Sequence, residues 1–174
     1  MNNLMLETDR LILRPLDSSD ANEVFAWVSD NRVTEFMPYG TYSNIEEVVN
    51  WITTLPSKAE EYNFGFVLKE NGLLIGSGCI GFHVDLGTWD FGYNIRYDYW
   101  NKGLTTEGAM GMMKFAYDNF GARDFSANHA VDNVASGKVI EKCGLTFYKY
   151  GEYSKFDGSQ IFKAKYYKAH LDSI

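Results

Sequence analysis

The order of sequence patterns between Asp90 and Gly144 is the feature that most constrains the fold. The aromatic and half-polar stretch from Trp89 to Arg96 predicts a strand, and the apolar residues that recur at helical spacing after Gly103 predict a helix. A second strand and a second helix follow before Gly144. A tight turn therefore joins the end of a strand to the start of a helix, where unpaired N–H groups of residues 101–106 and the helix dipole favour a phosphate group.

The turn at residues 100–105 reads Trp-Asn-Lys-Gly-Leu-Thr and matches neither of two familiar phosphate loops. The chain contains no Gly-x-x-x-x-Gly-Lys-Ser/Thr pattern, and no Gly-x-Gly-x-x-Gly pattern opens this helix. The turn instead resembles the acyl-CoA-binding segment of the GNAT superfamily of N-acetyltransferases, whose pattern is Gln/Arg-x-x-Gly-x-Gly/Ala. Gly103 matches the central glycine, whereas Trp100 and Thr105 depart from the first and last positions.

Further segments resemble the RimJ/RimL-type branch of that superfamily, which acetylates ribosomal protein N-termini. Residues 7–16 resemble its opening strand, residues 90–93 (Asp-Phe-Gly-Tyr) its Glu-x-Gly-Tyr strand, and residues 99–107 its Tyr-Trp-Gly-Lys-Gly-Tyr-Ala-Thr-Glu turn. Residues 133–136 (Asn-Val-Ala-Ser) and 139–145 (Val-Ile-Glu-Lys-Cys-Gly-Leu) match its last helix. The matches occur in the same order over nearly the whole chain, which is therefore identified as a member of the superfamily.

Length and composition predict a single domain spanning residues 1–174, because a chain of this size with 45% hydrophobic residues can build one substantial core. Helices are predicted at 18–29, with Ser18 or Ser19 as cap, and at 43–54, with Ser43 as cap. The order of elements is typical of an α/β (α+β) fold. The resemblance implies a GNAT-type mixed, mostly antiparallel twisted sheet of about seven strands flanked by about four helices.

Charge, histidine and cysteine content indicate which classes of partner and which cellular location to expect. The net charge of −7 and the lack of a basic cluster argue against nucleic acid, and acidity suits a cationic substrate. His83, His129 and His170 are scattered, so no metal site is expected. The chain has neither an apolar run of about 20 residues nor a leader-like N-terminus. Its two cysteines lack disulfide or metal spacing. We therefore expect a cytoplasmic protein with no membrane partner, and a homodimer is left open.

The resemblance implies an acetyl-CoA-dependent N-acetyltransferase whose acceptor is a primary amine, either a protein N-terminal α-amine or a small-molecule amine. In this superfamily the acetyl carbonyl and the pantetheine arm bond to backbone groups of the strand before the turn, which here belong to Tyr93, Asn94 and Ile95. The other implied cofactor-binding residues lie in the turn and on the last helix: Asn101, Lys102, Gly103, Leu104, Thr105, Thr106, Asn133 and Lys138. Asn133 is also a favoured helix N-cap, and both roles can coexist.

Two residues are the catalytic candidates. Asp90 matches the acidic position of the Glu-x-Gly-Tyr strand, where partial burial would raise its pKa and let it act as a base through a water. Ser136 matches the serine that, in the RimL-type branch, is placed to protonate the departing thiolate. Many other members carry a tyrosine four residues further along, where this chain has Ile140. A salt bridge for Asp90 and a structural role for Ser136 stay open, and His83 and Glu152 are secondary candidates.

The candidates for contact with the acceptor lie in the segment of residues 36–42, Phe-Met-Pro-Tyr-Gly-Thr-Tyr, and on a strand. This segment matches the loop that walls the acceptor cleft in the family, so Phe36 and Tyr39, together with His83, are predicted to bind substrate. A packed lid over the core would have a similar composition.

Direct transfer in a ternary complex is the predicted mechanism, because neither Cys79 nor Cys143 has an evident histidine partner in sequence. The altered turn and the missing tyrosine leave one alternative, a catalytically silent acyl-CoA-binding module. Asp90 and Ser136 argue against that alternative, because a silent module needs neither.

Overall fold

The computed structural model describes residues 4–55 and 61–174. Eight strands in this part of the chain form one sheet in the order β1-β2-β3-β4-β5-β6-β8-β7. Their bounds are β1 (Leu6–Glu7), β2 (Leu11–Arg14), β3 (Glu61–Leu68), β4 (Leu74–His83), β5 (Thr88–Ile95), β6 (Asp124–Ala130), β7 (Thr146–Ser154) and β8 (Ile161–His170). Neighbouring strands are antiparallel, apart from the parallel pair β5 and β6. The predicted mixed, mostly antiparallel sheet is confirmed. The additional strand is β1, whose two residues are too few to show an alternating pattern.

Five α-helices lie in the same described residues: α1 (Ala21–Val28), α2 (Asn31–Thr34), α3 (Ile45–Thr54), α4 (Leu104–Phe120) and α5 (Val134–Lys142). A 3-10 turn precedes α1, and its cap is Asp17, whose side chain accepts a hydrogen bond from Ser19 N at 2.8 Å. Asn44 caps α3 by accepting from Glu47 N at 3.1 Å. The predicted serine caps were therefore wrong. Asp17 and Asn44 hold the extended backbone that a cap requires, and the adjacent serines do not cap these elements.

Two apolar clusters hold helices on the sheet. The larger one packs α4 and α5 against the central strands, through residues such as Phe66, Ile80 and Met112. The second packs α1 and α3 against β3 and β4, with Trp27 and Leu74 fully buried. These clusters place β5 beside β4 and in contact with α4, so its exit turn and the first turn of α4 have fixed positions.

No helix in the described ranges is long and apolar enough to cross a membrane. Residues 1–3 and 56–60 lie outside the described residues. The expectation of a cytoplasmic protein depends partly on the N-terminal segment to which residues 1–3 belong.

Candidate active site

The strands β5 and β6 separate along their length. They pair only at Trp89 with Phe125 and at Asp90 with Ser126, although β5 continues to Ile95. On its other side β5 pairs with β4 over its full length. Beyond Asp90 one backbone edge of β5 therefore faces an opening. A ligand that carries amide groups can bond to such an edge as an added strand. The predicted cofactor residues Tyr93, Asn94 and Ile95 lie along this edge.

The turn after β5 leaves the start of α4 without a side-chain cap. Asn101 and Gly103 both have left-handed backbone, with φ of 59° and 75°. The first hydrogen bond of α4 runs from Glu107 N to Gly103 O, at 3.1 Å. Side chains do cap other helices: Asp30 caps α2, Asn44 caps α3 and Asn133 caps α5. The uncapped start of α4 suits an anion, because its leading N–H groups still need acceptors.

Side chains on both sides of the turn fix its position. Trp100, at the position where the family pattern has Gln or Arg, donates its indole N–H to Ile95 O at 3.0 Å. The Lys102 ammonium lies 4.9 Å from the centre of the Tyr99 ring, at the protein surface. The turn is thus tied to the end of β5, and Lys102 remains exposed to meet an anion.

The N-terminal segment engages a carboxylate in the first turn of α4, which sequence reasoning missed. Glu107 accepts hydrogen bonds from Thr8 Oγ1 at 2.6 Å, Arg10 N at 2.6 Å and Arg10 Nε at 2.7 Å. Arg10 also donates to Lys102 O at 3.0 Å. Burial acts to raise the pKa of Glu107, but the bonds from Thr8 and Arg10 outweigh it and hold the pKa below its usual value. Both oxygens of this carboxylate are therefore occupied beside the turn.

On α5, Asn133 and Ser136 contact each other, and Ser136 also contacts β5. The Asn133 side chain accepts from Ser136 N at 3.3 Å, so Asn133 is the cap of α5. The Ser136 hydroxyl lies 3.0 Å from the Tyr93 hydroxyl, which crosses from β5 to α5. Lys138 is exposed on α5. Ser136 is thus within hydrogen-bond distance of a β5 side chain, and its role as the acid stays a prediction.

Asp90 lies on the face of β5 opposite to that of Tyr93, because strand residues alternate. Ser126 donates to Asp90 Oδ2 at 2.8 Å, and the Ser126 hydroxyl lies 2.9 Å from that of Thr88. Burial raises the pKa of Asp90, while the Ser126 bond and the nearby His83 oppose part of that shift. His83 pairs with Thr88, two residues before Asp90, so the two side chains lie on the same face of neighbouring strands. Glu152 lies on β7, three strands from β5 in the sheet.

The 36–42 segment reaches the same face of β5. The Tyr39 hydroxyl accepts from Asn94 Nδ2 at 2.9 Å, and Ser77 donates to the other end of the Asn94 amide at 3.1 Å. Asn94 is four residues along β5 from Asp90, or about 13 Å. The ring of Phe36 packs edge-on against Phe162, with centroids 5.9 Å apart. Tyr39 therefore stands over β5, whereas Phe36 packs toward β8.

The loop between β7 and β8 holds the 36–42 segment in place. The Lys155 ammonium donates to three backbone carbonyls, Thr34 O, Met37 O and Tyr39 O, at 3.1–3.2 Å. Tyr153 Oη donates to Phe36 O at 2.6 Å. Sequence reasoning missed this clamp, because Lys155 is more than 110 residues away from the carbonyls it binds.

Comparison with known proteins identifies the fold. A family model described as an acetyltransferase (GNAT) domain matches residues 10–146. The uncharacterized N-acetyltransferase YoaA of Bacillus subtilis is 30% identical over 147 residues, which cover 81% of this chain and 82% of that protein. The crystal structure of a GNAT-family acetyltransferase from Bacillus anthracis is 22% identical, with a TM-score of 0.86 over 97% of this chain and 99% of that one.

Two further solved structures contain coenzyme A. RimL, a ribosomal-protein α-N-acetyltransferase, is 16% identical, with a TM-score of 0.82 over 98% of this chain and 99% of that one. Spermidine N-acetyltransferase from Vibrio cholerae, bound to CoA and spermine, is 14% identical, with a TM-score of 0.78 over 94% of this chain and 97% of that one. The chain therefore belongs to the GNAT family and is an acetyl-CoA-dependent N-acetyltransferase.

Proposed function

We propose that this enzyme moves the acetyl group of acetyl-CoA directly to a primary amine, with both substrates bound at the opening between β5 and β6. The observation that carries the proposal is the position of two sets of backbone groups at the two ends of one turn: the edge of β5 that separates from β6 beyond Asp90, and the uncapped N–H groups at the start of α4. The pantetheine arm would bond along residues 93–95 and the diphosphate to residues 101–106. Asn133 would contact the arm, and Lys138 the ribose phosphate.

The two candidate acid–base groups stand on opposite faces of β5, which supports direct transfer. Asp90 lies on one face, while Tyr93 on the other face contacts Ser136. An amine that enters from the Asp90 face could lose its proton there, and the sulfur could leave toward Ser136 at the edge of the strand. The raised pKa of Asp90 suits a base, because the stronger base draws a proton from an ammonium more readily.

The state of Cys143 disfavours a covalent acetyl-enzyme. Burial raises the pKa of Cys143 to about 12, so its thiol remains protonated and a poor nucleophile. Cys79 lies opposite Gly92 on β5, on the Asp90 face. It is therefore the cysteine to test for an acetyl adduct.

For the acceptor, we propose a protein N-terminal α-amine, as the RimJ/RimL-like motifs suggest, or a small amine. RimL acts on a ribosomal protein, and the Vibrio cholerae neighbour is named for spermidine. The fold thus accommodates both classes. Tyr39 over β5 and His83 beside Asp90 would contact the acceptor, and Phe36 would shape the wall behind them. The carboxylate of Asp90 and a net charge of −7 favour a cationic group.

An acceptor screen tests the proposal. Release of free thiol from acetyl-CoA is followed with N-terminal peptides, polyamines, amino acids and aminoglycosides. We expect turnover with at least one primary amine, intersecting initial-rate plots against the two substrates, and an unchanged intact mass after incubation with acetyl-CoA alone. Parallel plots with an acetyl adduct on Cys79 would replace direct transfer by a ping-pong route. CoA binding without turnover on any amine would favour the silent binding module.

A further inference from the structure

The Tyr93 side chain crosses the opening that separates β5 from α5. Its hydroxyl oxygen lies 3.0 Å from the Ser136 hydroxyl oxygen and 3.0 Å from the Ser136 carbonyl oxygen. The backbone of Tyr93 belongs to the strand edge proposed for the pantetheine arm, but its phenol has no part in that role. Burial raises the pKa of Tyr93, so the phenol keeps its proton at neutral pH.

The protons can be arranged in two ways. The Ser136 carbonyl oxygen only accepts, whereas the Ser136 hydroxyl can donate or accept. In the first arrangement Tyr93 donates to the carbonyl, and Ser136 donates its own proton to Tyr93. In the second, Tyr93 donates to the Ser136 hydroxyl, whose proton is then directed elsewhere. Rotation of the two O–H bonds converts one arrangement into the other without movement of a heavy atom.

Only the second arrangement makes Ser136 a useful acid. A serine that protonates a thiolate unaided becomes an alkoxide, which is far more basic than a thiolate with an ordinary pKa of about 8.5. Burial raises the pKa of Tyr93 above the ordinary phenol value of about 10, but a phenol is still a stronger acid than an alcohol in the same surroundings. The tyrosine that many relatives carry four residues after Ser136 is Ile140 here, with 1% of its surface exposed in the core. The phenol in this enzyme comes instead from the facing strand.

We propose that Tyr93 is the proton source for the leaving sulfur and acts through the Ser136 hydroxyl. The inference rests on the proposed function. The amine nitrogen bonds to the acetyl carbon, and the carbon–sulfur bond breaks with its electron pair on sulfur. Ser136 then gives its proton to sulfur and takes the proton of Tyr93. The nitrogen loses one proton toward Asp90, and solvent returns one to the Tyr93 phenolate, so the overall reaction is balanced. Tyr93 is a positioning residue in this scheme, because Ser136 is the group in contact with sulfur.

Three variants of the full-length enzyme test the relay: Tyr93→Phe, Ser136→Ala and the double variant. With acetyl-CoA and the best amine from the acceptor screen, we expect each single variant to lose about 10²-fold in kcat, as is typical when an acid–base group is removed. Because the two groups form one path, the double variant should be no slower than the slower single variant. A Tyr62→Phe variant, which removes a phenol hydroxyl from the aromatic cluster between β3 and α4, should keep the wild-type rate.

Measurements of the binding steps separate chemistry from structural damage. The same variants should keep the wild-type affinity for CoA and the wild-type KM for the amine, because the relay acts only on the leaving sulfur. A loss carried by CoA affinity or by KM would overturn the relay, and so would multiplicative losses in the double variant or a wild-type kcat in Tyr93→Phe. Calorimetry with CoA distinguishes failure of the proposed function from failure of the relay alone. A wild-type protein that does not bind CoA contradicts the proposed function, whereas binding and turnover with an unaffected Tyr93→Phe variant contradict the relay alone.

Discussion

Two regions of this enzyme are held in place in different ways. The cofactor region is the part proposed to bind CoA, at β5, the turn, the start of α4 and the start of α5, and the acceptor region is the 36–42 segment. In the cofactor region several contacts are local, since Trp100 bonds to Ile95 and Ser136 bonds to Asn133 three residues before it, and the ion pair of Arg10 with Glu107 is a distant one. In the acceptor region the 36–42 segment is held by Lys155 and Tyr153, more than 110 residues further along the chain. Recognition through backbone groups therefore needs a short motif with a fixed turn. The segment proposed to contact the acceptor depends on side chains that are distant in the chain.

If cofactor binding depends on backbone groups, acid–base chemistry can be lost without loss of CoA binding. Asp90→Asn should lower kcat by about 10²–10⁴-fold and leave the affinity for CoA unchanged. The wild-type rate should rise with pH through the pKa of Asp90, which burial places above its usual value, because the base acts when deprotonated. The Asn variant should lack this limb. Asp124→Asn, on an exposed carboxylate of β6, is the matched control and should keep the wild-type profile.

Burial of Asp90 should also make the free energy of unfolding depend on pH. A folded-state pKa above the unfolded one means that ionisation opposes folding, so this group's contribution falls as the pH rises through the folded pKa. Asp90→Asn should therefore melt higher than wild type at pH 7, with a smaller difference at pH 3. A larger advantage at pH 3 would contradict the assignment of the buried carboxylate.

The cofactor region should fail when its backbone is obstructed. Gly103→Val places a branched side chain at a φ of 75°, beside the N–H groups that are proposed to bind the diphosphate. Loss of two charge-assisted hydrogen bonds would weaken CoA binding by about 10²-fold or more. Gly72→Val is the matched control, because Gly72 has a φ of 72° in the turn between β3 and β4. Calorimetry should show an equal thermal destabilisation of the two variants and a loss of CoA affinity only in Gly103→Val.

The acceptor region should respond to removal of its clamp. Lys155→Met deletes three hydrogen bonds to the backbone around the 36–42 segment, so Tyr39 is less well fixed over β5. We expect the KM for the amine to rise about tenfold, with an unchanged affinity for CoA, since preorganised contacts are lost on one side only. Lys149→Met, on β7 shortly before that loop but stacked on Tyr148 and Tyr166, should have no effect on either substrate. A change in CoA affinity in Lys155→Met would mean that the two regions are not separate.

The smallest expected effect concerns the ion pair of Arg10 with Glu107. This pair lies in the cofactor region but joins residues that are distant in the chain. Arg10→Met removes the guanidinium that pairs with Glu107 Oε2, so the uncompensated charge of Glu107 would repel the diphosphate at the start of α4. A repulsion of about 1 kcal/mol corresponds to a roughly fivefold weaker affinity for CoA at low salt. Adding Glu107→Gln in the same chain should restore the affinity. If the double variant binds CoA no better than Arg10→Met, the ion pair supports the turn only mechanically.

Features that depend on local contacts could be predicted from the sequence, whereas those that depend on distant contacts could not. The strand, turn and helix after Asp90 were predictable, because each depends on neighbouring residues: the alternation of β5, the left-handed Gly103 and the apolar stripe of α4. The helix caps were missed by one or two positions, since serine, aspartate and asparagine occur together there and backbone geometry decides between them.

Contacts between distant segments could not be predicted in this way. The clamp by Lys155, the bonds of Thr8 and Arg10 to Glu107 and the approach of Tyr93 to Ser136 all join residues more than 40 positions apart. No local propensity encodes such pairs, which depend on how the sheet and helices pack. The separation of β5 from β6 belongs to the same class, because it reflects the pairing of two strands and not the pattern of either one.

Hydrogen–deuterium exchange of backbone amides with and without CoA tests the central claim most directly. The claim is that CoA binds along the free edge of β5 and at the uncapped start of α4, apart from the acceptor region. We predict that saturating CoA slows exchange at residues 101–106 and at those of residues 91–95 whose N–H groups face the open edge of β5, because these groups would gain acceptors. Residues 36–42 should be unchanged. Protection confined to residues 36–42, or binding without protection at residues 101–106, would contradict the claim.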